Sequence, residues 1–83
     1  MDWKLYAYVI AGENRKQTLL LLDSPLTPTQ IANQRKVSLS LVSHALADLN
    51  KKGLVKCLNP KYRVGRLYQR TKKGNEIVSY IRK

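Results

Sequence analysis

The side chains in this sequence that could do chemistry are hydrogen-bond donors and cations. Two groups stand out, one of short donors in LSLVSHALADLN and one of long cations in NPKYRVGR. The first group is Ser40, Ser43 and His44, and the second is Lys61, Arg63 and Arg66. Short donors can bond to base edges or phosphates, and exposed cations can neutralise phosphates. The alternative for each group is plain exposure to solvent.

The sequence carries no signature of an enzyme. Its acidic residues do not cluster, and it has no paired-carboxylate, nucleophile-base or phosphate-loop pattern. Its only cysteine, Cys57, cannot form an internal disulfide, and Cys57 with His44 alone cannot make a structural zinc site. We therefore expect no enzymatic activity, no metal and no cofactor. We expect Cys57 to be a small buried hydrophobic residue.

The net charge of +11 is unevenly distributed along the 83 residues. Residues 51–83 contain eleven Lys or Arg and one acidic residue, whereas residues 1–50 contain five and four. A polarised basic charge indicates an anionic polymer as partner, because each neutralised phosphate releases counterions. The alternative is a generally basic, soluble protein.

Capping residues predict the first of two short helices around which the chain is organised. Thr27 is a good N-cap, Pro28 falls at the first helical position, and Gln30 is placed to close a capping box. These residues predict a helix over 28–35, followed by a tight turn.

The second helix is predicted over 39–52. Ser38 is its N-cap, and Gly53 supplies the left-handed residue that commonly ends a helix. Apolar residues recur at i, i+3, i+4 and i+7 and form one buried stripe, namely Val42, Ala45, Leu46 and Leu49. The opposite face is short or polar, with Ser40, Ser43, His44 and Ala47. Such a face fits the major groove of DNA, because it neither blocks entry nor repels phosphates.

Two sequence runs resemble a known family. IANQRKVSLSLVSHALADLNKKGLV resembles the helix-turn-helix of winged-helix transcription regulators of the MarR/ArsR type, especially small archaeal ones. GRLYQRTKKG resembles their second wing strand and the start of their last helix, so the resemblance covers nearly the whole chain. Two positions depart from the pattern. Lys36 stands where the family often has Gly, and Arg70 stands where an apolar strand residue is usual.

The resemblance implies a winged helix-turn-helix fold, mainly α with a small β-hairpin wing. We expect a single domain over 1–83, with an N-terminal helix, a first core helix, the helix-turn-helix, the wing and a C-terminal helix. Outside the helix-turn-helix, the expected ranges are 1–11, 13–22, 54–71 and 72–82. The wing strands are expected at 54–58 and 67–71, with Thr71 capping the last helix.

The function implied is a sequence-specific, double-stranded DNA-binding transcriptional regulator. We expect the recognition helix 39–52 in the major groove and the basic wing on the minor groove or phosphates. Arg35 and Lys36, at the end of the first motif helix, could reach the DNA backbone. The expected DNA-binding residues are Arg35, Lys36, Ser38, Ser40, Ser43, His44, Lys61, Arg63 and Arg66.

The N-terminal helix carries more apolar residues than one small core can bury. Trp3, Tyr6 and Ile10 lie on one stripe with further apolar residues beside it, so we expect a homodimer formed by the N- and C-terminal helices. Tyr80 and Ile81 are expected to contribute from the last helix. The alternative is a helix folded fully onto its own domain.

The sequence has neither an 18-residue apolar run nor a secretory signal, so we expect no membrane contact and a cytoplasmic, nucleoid-associated protein.

Two rival functions remain open. One is an architectural DNA-binding protein of low specificity, because serines discriminate weakly between bases. The other is a winged-helix protein-interaction module whose basic wing contacts an acidic partner.

Overall fold

The computed structural model describes residues 1–83 as five helices and a two-stranded antiparallel hairpin. This mainly helical architecture with a small hairpin confirms the predicted fold class. The elements in chain order are α1 (Trp3–Ala11), α2 (Glu13–Leu20), α3 (Pro28–Arg35), α4 (Leu39–Lys51), β1 (Val55–Cys57), β2 (Tyr68–Arg70) and α5 (Lys72–Ile81). None of the five helices combines the length and the apolar character needed to cross a membrane.

One hydrophobic core joins the helices to the base of the hairpin. The predicted stripe of α4 is buried, and its Leu46 and Leu49 pack with Leu19 of α2, Ile31 of α3 and Ile77 of α5. Full burial of each such side chain stabilises the fold by about 1.5–3 kcal/mol. Because α4 buries one stripe in this core, its opposite face is left at the surface.

The turn between α3 and α4 has the predicted capping residues in place. The Thr27 hydroxyl accepts a hydrogen bond from the Gln30 backbone amide at 3.2 Å. The side-chain oxygen of Gln30 accepts one from the Thr27 backbone amide at 2.9 Å. Lys36 ends α3 in the left-handed conformation with φ 58°, where a non-glycine residue costs about 1–2 kcal/mol. The Ser38 hydroxyl then caps α4 by accepting from the Leu41 amide at 3.2 Å. These contacts fix the direction in which α4 leaves the turn.

Several elements are shorter than the sequence predicts. The expected first core helix 13–22 ends at Leu20, where Arg70 of β2 and Arg82 after α5 donate to the carbonyls of its last turn. The two wing strands have three residues each instead of five, although the Leu58 amide still donates to the Leu67 carbonyl at 2.8 Å. The hairpin also gains a bridge that the sequence does not predict, between Tyr68 and Leu26, just before α3.

Arg70 occupies its strand position by binding the end of α2. Its side chain is only 9% exposed, and its guanidinium donates to the Leu19 carbonyl at 2.9 Å and to the Asp23 carboxylate at 2.6 Å. Arg82 binds the same carboxylate at 3.0 Å. A buried guanidinium is stable only when paired in this way. The Asp23–Arg70–Arg82 cluster therefore ties α2, β2 and the end of α5 together.

This cluster predicts a pH dependence of stability. Hydrogen bonds from Arg82 and Arg70 lower the pKa of Asp23 from 3.8 to about 2. Because the pKa is depressed in the folded state, the stabilisation is present above about pH 4 and is lost as the pH falls toward about 2. Asp23→Asn should therefore lower the thermal midpoint near neutral pH, and the difference from wild type should close in that window.

Circular dichroism melts of both proteins at several pH values measure this effect. Asp48→Asn is the matched control, because Asp48 makes no ion pair. A difference between Asp23→Asn and wild type that stays constant from about pH 7 to about pH 2 would show that the ionised carboxylate does not supply the stabilisation.

Candidate nucleic-acid interface

The outer face of α4 is an exposed, shallow surface of short side chains. Its five residues are Leu39, Ser40, Ser43, His44 and Ala47, all of them exposed. The predicted donors of the recognition helix therefore do lie together on one surface. No acidic residue lines this surface, so nothing on it repels a phosphate.

A groove of about 690 Å³ separates this face from the wing. Leu39 and Ser43 of α4 line one side, and residues 63–66 of the wing line the other. The N-terminus of α3, with Thr27 and Thr29, closes the end. The groove has no acidic lining residue, and the positive end of a helix dipole favours negative charge there. Of the predicted residues, the structure brings Ser43, Arg63 and Arg66 to this groove. Ser40, His44 and Lys61 do not line it.

The wing loop over 59–66 is braced by its own hydrogen bonds. The Asn59 amide group donates to the Gly65 carbonyl at 3.1 Å and accepts from the Leu67 amide at 2.8 Å. Arg66 donates to the Tyr62 carbonyl at 2.6 Å and to the Pro60 carbonyl at 3.2 Å. Two of the five N–H groups of Arg66, which is expected from the sequence to contact DNA, are therefore used to shape the loop, while its side chain still lines the groove.

Lys61 and Arg63 are the wing cations that remain available. Both are exposed, and neither has a side-chain hydrogen bond or ion pair within the chain. Between them and beside them, Tyr62 is 62% exposed and Val64 is 85% exposed. The wing therefore presents two free cations and two exposed apolar groups on a preshaped loop.

The turn residues of the helix-turn-helix have different surroundings. Arg35 is half-buried, and its guanidinium donates to the Thr18 hydroxyl at 3.0 Å and to the Asn14 side chain at 2.9 Å. It therefore joins α3 to α2, and the backbone contact expected of it would require these bonds to break. Lys36 is exposed with a free ammonium group, and Ser38 is exposed while capping α4.

Cys57 is only half-buried, not fully buried as expected. Its thiol lies 3.6 Å from the Asn59 side-chain oxygen, at the base of the wing loop. No group of three or more His, Cys, Asp or Glu side chains lies close enough to hold a metal ion.

A separate aromatic surface lies on α1 and α5. Trp3, Tyr6 and Tyr80 pack edge to face, with ring centroids 4.9 Å apart for Trp3–Tyr80 and 5.4 Å apart for Tyr6–Tyr80. Trp3 is nevertheless 55% exposed and Tyr80 39% exposed. Of the two residues expected to contribute from α5, Tyr80 lies outside the core, whereas Ile81 is half-buried and packs against it.

Three exposed residues of the groove were not predicted from the sequence. They are Thr29, Leu39 and Val64. Only Leu39 could have been found from the sequence, because it is an apolar residue that follows a helix cap and lies outside the buried stripe of α4.

Comparison with known proteins shows which regulators this chain resembles. Residues 17–56 match the profile of the arsR family of bacterial regulatory proteins. No curated protein sequence gives a significant match. Reduced HlyU from Vibrio cholerae has a similar structure, with a TM-score of 0.74 and 25% identity over 94% of this chain and 86% of its own.

Two further structures share the fold. ZitR from Lactococcus lactis in complex with DNA has a TM-score of 0.72 and 25% identity, covering 80% of this chain and 47% of its own. RV1404 from Mycobacterium tuberculosis has a TM-score of 0.77 and 23% identity, covering 93% of this chain and 56% of its own. This chain thus spans about half the length of ZitR and RV1404. ZitR is described as a zinc-responsive MarR family member. The matched helix-turn-helix and the shared architecture identify this chain as a winged helix-turn-helix protein that resembles MarR- and ArsR-type regulators.

Proposed function

We propose that the chain is a transcriptional regulator that binds double-stranded DNA through α4 and the wing. The observation that carries this proposal is the groove in which Ser43 of α4 lies beside Arg63 and Arg66 of the wing, with no acidic residue in its lining. The net charge of +11 adds a general attraction to phosphates. A similar fold in the DNA complex of ZitR supports the same mode of binding.

Each side of the groove is suited to a different part of the duplex. The short side chains of α4 allow the helix to approach base edges in the major groove, where all four base pairs differ in their donors and acceptors. Lys61 and Arg63 are long, exposed cations on the preshaped wing and suit the minor groove or the phosphates beside it. Lys36, an exposed cation in the turn before α4, suits the DNA backbone in the same way.

We further propose that the chain acts as a homodimer through the aromatic surface of α1 and α5. Trp3 and Tyr80 are large, exposed and already packed against each other, and such residues dominate the energetics of protein interfaces. A two-fold dimer places two recognition helices about one helical turn of DNA apart. It would also bury apolar surface that a small monomer leaves in water.

Trp3→Ala together with Tyr80→Ala should weaken the dimer by at least about 30-fold, because interface anchors of this type contribute about 2 kcal/mol or more. Sedimentation equilibrium measures the association. Tyr62→Ala is the matched control, since Tyr62 is an exposed aromatic residue on the wing. A wild-type protein that stays at 9.5 kDa at high concentration would contradict the dimer.

Selection of bound sequences from a random pool of duplex DNA tests the function. We expect enrichment of an inverted repeat whose half-sites lie about 10 base pairs apart. Retention of random duplexes without enrichment would instead favour an architectural DNA-binding protein. Failure to retain any duplex at low salt would contradict DNA binding and favour a protein-interaction module with an acidic partner.

A further inference from the structure

Leu39 is the one large apolar side chain on the outer face of α4. It is the first residue of α4, directly after the cap at Ser38, and it is 50% exposed. The core does not use it, whereas Leu46 and Leu49 of the same helix are almost fully buried. Leu39 lines both the outer face of α4 and the groove beside the wing. It therefore lies where these two surfaces meet.

The chemistry of the major groove restricts what an exposed leucine can contact there. Base edges present polar donors and acceptors, and the 5-methyl group of thymine is the apolar group among them. The N-terminal residues of a recognition helix are the ones that contact base edges. The neighbouring Ser43 and Ala47 are small, so they leave space for a base edge to approach Leu39.

We propose that Leu39 contacts the 5-methyl group of a thymine in each half-site and thereby selects an A·T pair at that position. This inference rests on the proposed function and names a part of the DNA sequence that the site prefers. The serines beside Leu39 discriminate weakly between bases, because a hydroxyl can both donate and accept. An apolar contact supplies discrimination that these hydroxyls lack.

Leu41 offers a matched comparison on the same helix. It is 42% exposed, close to the value for Leu39, but it lies in a separate cleft between α4 and the start of α2. That cleft is lined by the acidic residues Glu13 and Asp48 as well as by Arg15 and His44, and no wing residue lines it. Leu39 and Leu41 are thus chemically identical and similarly exposed, and only Leu39 borders the wing.

The proposal is tested by replacing the thymines of the selected duplex with deoxyuridine, one position of the half-site at a time. This change removes only the methyl group. Fluorescence anisotropy should show binding weakened by about fourfold at one thymine per half-site, the value expected for one buried methyl group. Leu39→Ala should bind thymine and uracil duplexes about equally. Leu41→Ala should keep the wild-type difference.

Three results would overturn the proposal. If wild type binds the selected duplex and no uracil weakens binding, the methyl contact is absent while the proposed function stands. If Leu39→Ala keeps the full uracil effect, another residue makes the contact. If no duplex is bound at all, DNA binding itself is wrong, and this inference falls with it.

Discussion

Raising the monovalent salt concentration from about 50 to about 200 mM is expected to weaken DNA binding by about 10³-fold. Three exposed cations of the turn and the wing have no side-chain partner within the chain, namely Lys36, Lys61 and Arg63, and Arg63 lines the groove. A dimer would then neutralise about six phosphates, and each one releases condensed counterions on binding. Arg35 and Arg66 do not enter this count, because their guanidinium groups are bonded within the domain.

Titration of a labelled duplex at several salt concentrations measures this slope. Arg63→Ala should reduce the slope by about one unit for each phosphate contact that it removes. Lys4→Ala is the matched control, because Lys4 is an exposed cation on α1, outside the groove. Affinity that does not change with salt would contradict the electrostatic contact.

Substitutions in α4 and in the wing should affect DNA binding in different ways. Ser43→Ala with His44→Ala should lower the preference for the selected site over random DNA, because each lost base contact costs about 1–3 kcal/mol at its own position. Lys61→Ala with Arg63→Ala should weaken selected and random duplexes alike, since phosphate contacts carry no sequence information.

Arg66→Ala is an informative third variant. It removes a charge from the wing, but the guanidinium that it removes is bonded to the Tyr62 and Pro60 carbonyls. We expect it to lower affinity by loosening the loop while leaving the salt slope nearly unchanged. If the pair at Lys61 and Arg63 abolishes the preference and the α4 pair does not, then the wing reads the sequence, as an arginine in a narrow minor groove can.

Local rules in the sequence were enough to predict the helix-turn-helix. A cap signal depends on residues within four positions of each other, so Thr27, Gln30 and Ser38 predicted the starts of α3 and α4 correctly. The buried stripe of α4 follows from periodicity, and its outer face follows from the stripe. The exposed cluster of Ser40, Ser43 and His44 was therefore predictable without any tertiary contact.

The roles of the arginines were not predictable in the same way. Arg35, Arg66 and Arg70 each bind backbone carbonyl groups, and those of Arg35 and Arg70 lie 21 and 51 residues away along the chain. A long guanidinium side chain takes whichever acceptors the fold brings near it, and sequence spacing does not reveal them. The same reason explains why the Leu26–Tyr68 bridge was missed.

If this groove recognises a particular DNA sequence, the ratio of two dissociation constants will show it. The dissociation constants for the selected duplex and for a random duplex of equal length should be measured at one fixed salt concentration. We expect the selected duplex to bind at least about 10³-fold more tightly, the lower end of the range for specific DNA-binding proteins. A ratio near one would contradict sequence-specific recognition.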